Sequence, residues 1–265
     1  MKLKRLQLFE FEDLPWFPNF FRQLMTNYLV TLHRFLKSHE LIAPMLKRCL
    51  EKSARKSVID LCSGGGGPMR DVLRLLRQEK YLEHLEITLS DLYPNAIAAI
   101  EIKKMGYPGL NYKMESVDAT NVDLALGGVR SMVCSMHHLP PLVAQKILQD
   151  AASKKQPICV FEISDNATPI LLWWLAVPVG FFAALIVSAF IRPMTWMQFI
   201  FTYLIPILPL LIAWDGAVSI ARIYNKEDLE ELLRGVKADG YIWDVGVVKK
   251  PGHPSGMVYL VGLPT

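Results

Sequence analysis

Residues 58–61 form a short apolar run containing one acidic residue, Asp60, and are followed by Cys62, Ser63, four successive glycines from Gly64 to Gly67, and Pro68. A strand ending in backbone without side chains, with a proline placed to open a helix, lets a nucleotide-like ligand lie against the main chain at the carboxyl edge of a sheet. No other segment narrows the choice of fold so far.

From Ser57 onward, strand-like and helix-like patterns alternate. Strand patterns occupy 58–61, 85–89, 111–117, 131–135, 158–163, 241–248 and 257–261, and helical patterns occupy 68–79, 94–105, 141–152 and 226–235. Pro68, Pro94 and Pro141 stand where an N1 proline starts a helix. Asn225 stands where an N-cap belongs, ahead of Glu227 and Asp228 in the first turn. Such alternation implies a mostly parallel sheet covered on both faces. The last two strands are joined by residues 249–256 without a helix and should pair antiparallel. The expected class is α/β: a doubly wound, mostly parallel seven-stranded sheet. At 265 residues the chain has room for one such domain with an extension and an insertion.

The insertion is apolar. The chain is 52% hydrophobic with a mean hydropathy of +0.25, and the excess is concentrated between Thr168 and Trp214. Residues 168–190 carry no charge, and about 20 such residues can cross a bilayer core as a helix. Arg192-Pro193 interrupts the run, and 194–214 is a second uncharged segment. Trp173, Trp174, Trp196, Tyr203 and Trp214 resemble an aromatic belt. The expectation is a membrane-embedded helical hairpin, crossing twice or, as Pro178, Pro206 and Pro209 would allow, lying in the plane or re-entering. Arg192 is the only charge at the tip, so the α/β domain is expected to face the cytoplasm, as at a bacterial inner membrane.

The N-terminal part is aromatic-rich from Phe9 to Met25, and its apolar positions recur at helical spacing over 19–36. Trp16 and its neighbouring phenylalanines fit an interfacial anchor and a lid over an active site equally. The expected organisation is therefore an N-terminal helical or interfacial segment (1–56), a ligand-binding core (57–167), the membrane hairpin (168–214) and the remainder of the core (215–265).

The net charge of +4, from 29 basic and 25 acidic residues, is too balanced for a nucleic-acid binder. Basic clusters at Lys2, Lys4 and Arg5 and over 47–56 suit either an anionic membrane surface or a solvated helix face. Cys49, Cys62, Cys134 and Cys159 show no metal-ligand spacing, and no metal is expected; Cys62, Cys134 and Cys159 read as buried small hydrophobes in a reducing compartment.

The glycine run fails as a dinucleotide fingerprint, because starting at Gly64 puts Met69 in the sixth position and starting at Cys62 puts cysteine in the first. No Gly-Lys-Ser/Thr ending follows, which removes a P-loop. The run Asp60-Leu-Cys-Ser-Gly64-Gly-Gly66-Gly resembles motif I of class I S-adenosylmethionine-dependent methyltransferases, with Cys62 where that family usually has its first glycine. Asp91 closes the second strand, where the family binds the ribose hydroxyls. Asp118-Ala119 follows the third strand, where the family holds the adenine amino group. The resemblance covers residues 57–165 and resumes near 225. It implies a Rossmann-like methyltransferase fold, S-adenosylmethionine as cofactor, and Asp60, Cys62, Gly64, Gly66, Asp91, Asp118 and Ala119 as its binding residues.

After the fourth strand come His137 and His138, and no Asn/Asp-Pro-Pro-aromatic motif. Either histidine could serve as general base, or merely cap the next helix. Glu162 ends the fifth strand; Asp215, Ser219, Arg222 and Tyr224 follow the apolar insertion. Glu162, Asp215, Arg222 and Tyr224 are expected at the substrate side, with Asp215 paired to Arg222 either to dock the hairpin only or to bind a polar head group of the substrate. The insertion points to an acceptor that partitions into the bilayer, a lipid, quinone or polyene. A soluble acceptor with the hairpin as anchor, and a non-catalytic membrane scaffold, remain open, as does the oligomeric state.

Overall fold

A computed structural model describes Leu3 and residues 5–166, 170–237, 239–249 and 256–265, without the side chains of 170–172. Lys2 and Lys4, the expected boundary at 167/168 and the loop 250–255 lie outside the described residues.

Seven strands form one sheet: β1 (Ser57–Asp60), β2 (Glu86–Leu89), β3 (Leu110–Tyr112), β4 (Val129–Val133), β5 (Ile158–Glu162), β6 (Tyr241–Val248) and β7 (Met257–Pro264), in the order β3-β2-β1-β4-β5-β7-β6. The first five are parallel, and β7 runs antiparallel between β5 and β6, as the shortness of the link between the last two strands leads one to expect. The strand order reverses between β1 and β4, which opens a crevice at their carboxyl ends.

Alternation along β1 sends neighbouring side chains to opposite faces. Val58 joins a core with Ile42, Leu46 and Leu50 of α2 (His39–Lys52) and Met69 and Leu73 of α3 (Met69–Leu76). Ile59 joins a second core with Ile147 and Leu148 of α5 (Pro141–Ser153) and Leu229 and Leu232 of α9 (Lys226–Leu233). Each such side chain, fully buried, contributes about 1.5–3 kcal/mol. Helix α2 has no counterpart among the expected elements. It lies so close to the sheet that the Cys49 and Cys159 thiols, both free, stand 3.1 Å apart.

Several element boundaries differ from expectation, among them the start of α3, where Pro68 is the N-cap and not the first helical residue; two of the differences have a visible cause. The third strand ends at Tyr112, because the Val117 N–H turns to the Asp91 carbonyl (2.9 Å) and the chain passes over the end of β2. Helix α4 (Ala96–Met105) is capped by the Asn95 side chain, which accepts from the N–H groups of Ile97 and Ala98, so Pro94 precedes the cap instead of opening the helix.

The apolar insertion folds as a short 3₁₀ stretch (Ile170–Leu175), α6 (Ala176–Ser188), α7 (Trp196–Phe199), a π-helical turn (Ile200–Leu204) and α8 (Ile207–Arg222). Helices α6 and α8 approach closely at Gly180, where a Cβ would stand 3.2 Å from the Ala213 Cα. With α1 (Asn19–Phe35) they enclose a third core of Leu24, Met25, Tyr28, Ala184, Leu208 and Ile212. No single helix among the described residues is long and apolar enough to cross a membrane. The apolar helix Trp173–Ser188 rises only about 24 Å, short of a hydrocarbon core of about 30 Å. The second run breaks at Pro206, so that Trp196–Leu204 and Ile207–Arg222 qualify only as a pair bent by 81°.

Candidate active site

The glycine turn leaves β1 at the crevice. Asp60, buried at the end of β1, accepts from Ser131 Oγ of β4 at 2.5 Å, and its carbonyl collects the hydroxyls of Ser63 (2.7 Å) and Ser90 (2.8 Å). These bonds stitch β1, β2 and β4 together at the point where the order reverses. Burial pushes the Asp60 carboxyl up to about 7, against the hydrogen bond from Ser131. Cys62 follows with a left-handed backbone (φ 54°), as does Cys134 (φ 51°) beyond β4. Each costs on the order of 1–2 kcal/mol, and strain of this kind gathers at ligand sites. The Cys62 thiol is pushed up to about 12 by burial, with the charges of Asp91, Asp60 and Asp118 adding to it.

The space in front of Gly64 is open, with nothing within 4 Å of a built Cβ. Gly66 adopts φ +83°, and a Cβ there would lie 2.6 Å from Leu89 Cδ1. Gly65 is closed on its other side by α1, whose Thr26 methyl would meet a Cβ at 2.2 Å. The Gly64 N–H donates to Asp91 Oδ2 (3.2 Å), and Tyr93 N–H donates to Oδ1 (3.1 Å). Asp118 is exposed and accepts from the N–H and hydroxyl of Thr120 (2.8 and 2.7 Å). Ala119 is buried in the same core as Val117 and Val122. Tyr112, missed in the sequence, donates its hydroxyl to the Gly64 carbonyl (3.2 Å) and accepts from Asn95 N–H (3.0 Å).

The histidines occupy a 3₁₀ turn, Met136–His138, after β4. Glu162 Oε1 accepts from the His137 backbone N–H (3.1 Å) and Oε2 from His137 Nδ1 (2.7 Å). A carboxylate only accepts, so in the neutral imidazole the ring proton sits on Nδ1 and the Nε2 lone pair faces the Ser219 hydroxyl at 2.9 Å. His138 stacks beside it, ring centroids 4.2 Å apart, and donates from Nδ1 to Asp13 (2.9 Å).

A strap formed by residues 5–13 roofs this side. Leu6 N–H donates to the Ala221 carbonyl, Arg5 to the carbonyls of Arg222 and His137, and Trp214 Nε1 to the Phe9 carbonyl. Buried Arg222 donates to Glu10 Oε1 (3.0 Å), Asp13 Oδ2 (2.5 Å) and the His138 carbonyl (3.0 Å). Burial pushes Glu10 up to about 7 against the pull of His138 and Arg222. Burial acts the same way on Asp13, but the hydrogen bonds and charges of His138 and Arg222 prevail and hold it at about 2.

Three expectations for the substrate side need correction. Asp215 does not pair with Arg222; its oxygens accept from the backbone N–H groups of Phe11 (2.8 Å) and Glu12 (3.1 Å), because the strap brings unsatisfied donors to it first. Both oxygens of Glu162 are taken up by His137, so it orients that ring. Tyr224 is buried under Arg5 (4.2 Å to the ring centroid) and donates to the Leu139 carbonyl (2.7 Å), which makes it a support of the histidine turn. Glu10 and Asp13 were missed, and three acidic residues set within the aromatic stretch at Glu10, Glu12 and Asp13 are the signal that could have found them.

No family model and no curated protein matches the chain. Solved structures do resemble it distantly. The apo form of the S-adenosylmethionine-dependent methyltransferase SibL is 14% identical, with a TM-score of 0.49 over 98% of this chain and 63% of that one. An O-methyltransferase from neocarzinostatin biosynthesis, in complex with S-adenosylmethionine and a naphthoic acid, is 16% identical, with a TM-score of 0.45 over 86% of this chain and 57% of that one. A methyltransferase from Aquifex aeolicus is 10% identical, with a TM-score of 0.44 over 83% and 89%. The chain thus spans less than two thirds of the first two.

Proposed function

We propose that this chain is an S-adenosylmethionine-dependent methyltransferase that works at a membrane surface on a hydrophobic acceptor. The observation that carries the reading is the Asp91 carboxylate, fixed to the Gly64 amide at 3.2 Å beside a turn with open space before it. A carboxylate at the end of β2 can accept from the paired hydroxyls of a ribose. Asp118, one strand further out, can accept from an exocyclic amino group. The bare turn of Gly64 and Gly66 admits an amino-acid tail against the main chain. When bound there, S-adenosylmethionine supplies a methyl group on a sulfonium, and the protein's task is then positioning and exclusion of water. Helix α1 against Gly65 and the strap over His137 serve that exclusion. His137 Nε2, on a ring that Glu162 holds from behind through Nδ1, is the lone pair that an acceptor oxygen or carbon would meet in place of the Ser219 hydroxyl.

The acceptor class and the membrane rest on the outer face of the helical insertion. Trp174, Phe182, Ile186, Phe190, Trp196 and Leu204 are all more than half exposed, a clustering of large apolar side chains that soluble surfaces rarely carry. With Arg192 the lone charge at the tip, the insertion seats in the bilayer as a bent hairpin and the sheet stays on the cytoplasmic side.

Calorimetry tests the cofactor: Asp91→Ala should weaken S-adenosylmethionine binding at least tenfold, and unchanged affinity sinks the assignment. Transfer of labelled methyl to a total lipid extract, and not to a water-soluble extract, tests the acceptor. Flotation with anionic vesicles tests the membrane; a chain that stays at the bottom of the gradient is not seated by its insertion.

A further inference from the structure

The geometry points to a divalent metal site formed by Glu10, His137 and His138, with a free coordination position for a hydroxyl of the acceptor. One ligand atom from each of the three lies within 4.8 Å of the others. The second observation is independent of that grouping. Glu10 is fully buried, Arg222 holds its Oε1 at 3.0 Å, and its Oε2 has no hydrogen-bond partner among the described residues while facing His138 Nδ1 at 3.6 Å. A buried carboxylate oxygen left bare is destabilising, and a cation in the cluster removes that cost.

The surroundings match what metal ligands need. A ligating imidazole gives its other nitrogen to a carboxylate, which sets the tautomer and raises basicity. His137 does this with Glu162 at 2.7 Å, leaving Nε2 for the ion. Arg222 orients Glu10, and an ion in the cluster would take His138 Nδ1 over from Asp13. Two imidazoles and one carboxylate suit zinc or another borderline first-row ion and disfavour magnesium, which prefers an all-oxygen shell. Three protein ligands leave a position open, and a hydroxyl bound there releases its proton to solvent far more readily than a free one.

The site deepens the methyl-transfer reading, on which the identity of the fourth ligand rests, by making the acceptor a hydroxyl compound and His137 a ligand. Its existence is tested separately. The full chain is dialysed against chelator and titrated calorimetrically with zinc chloride and with magnesium chloride, and cobalt(II) is added to read visible absorption bands. One equivalent of zinc, weak or no magnesium binding and cobalt bands of a four- or five-coordinate site are expected. Glu10→Gln and His138→Ala should each weaken zinc at least tenfold, while Asp118→Asn leaves it unchanged. No zinc binding, or binding equal in Glu10→Gln, His138→Ala and wild type, overturns the proposal. Should Glu10→Gln fail to fold, His138→Ala with the cobalt spectrum decides. Zinc binding with no S-adenosylmethionine binding would leave the metal site standing and remove the methyl-transfer reading; the reverse pattern removes only the metal.

Discussion

Over β1–β3 the carboxyl edge of the sheet is open and made largely of main chain, whereas over β4 and β5 it is roofed and made of charged side chains. On the open half, Gly64, Asp91 and Asp118 are bonded to backbone groups within their own loops or the next one. On the roofed half, Glu10, Asp13, Arg222, Glu162 and the two histidines are bonded to one another across the chain. A ligand shared by many substrates suits the first kind of wall, since main chain tolerates neighbouring change. A wall of interlocked charges suits one particular guest, because replacing any member leaves another unpaired.

The largest test of that contrast is Arg222→Met. It removes the guanidinium that donates to both Glu10 and Asp13, and breaking a buried pair from one side typically costs about 3–5 kcal/mol. A chemical denaturation midpoint within error of wild type would show that the roofed half is not interlocked. The next is pH. Burial holds His33, the α1 residue beside Gly67 (Cβ to Nε2 3.9 Å), down at about 4 from 6.5. Between those values the unfolded chain binds the extra proton, so stability is lost as pH falls through that window, by about 3 kcal/mol at most. Asp60 and Glu10, raised to about 7, act in the opposite sense. The measurement is therefore the difference between wild type and His33→Leu, in which the variant gains relative stability from pH 7 to pH 4. Asp91→Asn, on the open half, should leave the fold intact and weaken S-adenosylmethionine binding by about 1.5–3 kcal/mol, the range for a hydrogen bond to a charged group. Loss of structure in that variant would mean the open half is interlocked too. The smallest effect belongs to Ser219→Ala. It removes a single half-exposed hydrogen bond to His137 and should cost about 1 kcal/mol or less in thermal unfolding.

The same contrast accounts for what was legible in the sequence. The glycine turn, Asp60 and Asp91 stand at or just beyond the ends of β1 and β2, so local pattern was enough to single them out, and the alternation of strands and helices made the parallel sheet with its antiparallel edge legible. Helix α2 escaped because Pro44 stands inside it, and an interior proline interrupts the helical pattern although Ser38 is placed as its N-cap. The pairing of Asp215 with Arg222 was inferred from their proximity along one segment, and failed because the strap supplies backbone donors that sequence proximity does not reveal. Glu10, His137, His138 and Arg222 meet only through tertiary closure, which no spacing rule encodes.

That closure has a consequence for how the protein comes into being. Glu10 and Arg222 lie 212 residues apart, and the entropy of joining chain ends grows as about (3/2)RT ln n. During synthesis the aromatic N-terminal stretch therefore emerges early and waits, uncovered, until α8 has been made. The roof should be the last part of the site to assemble and, with few strand hydrogen bonds holding it, the first to show amide exchange in the native state.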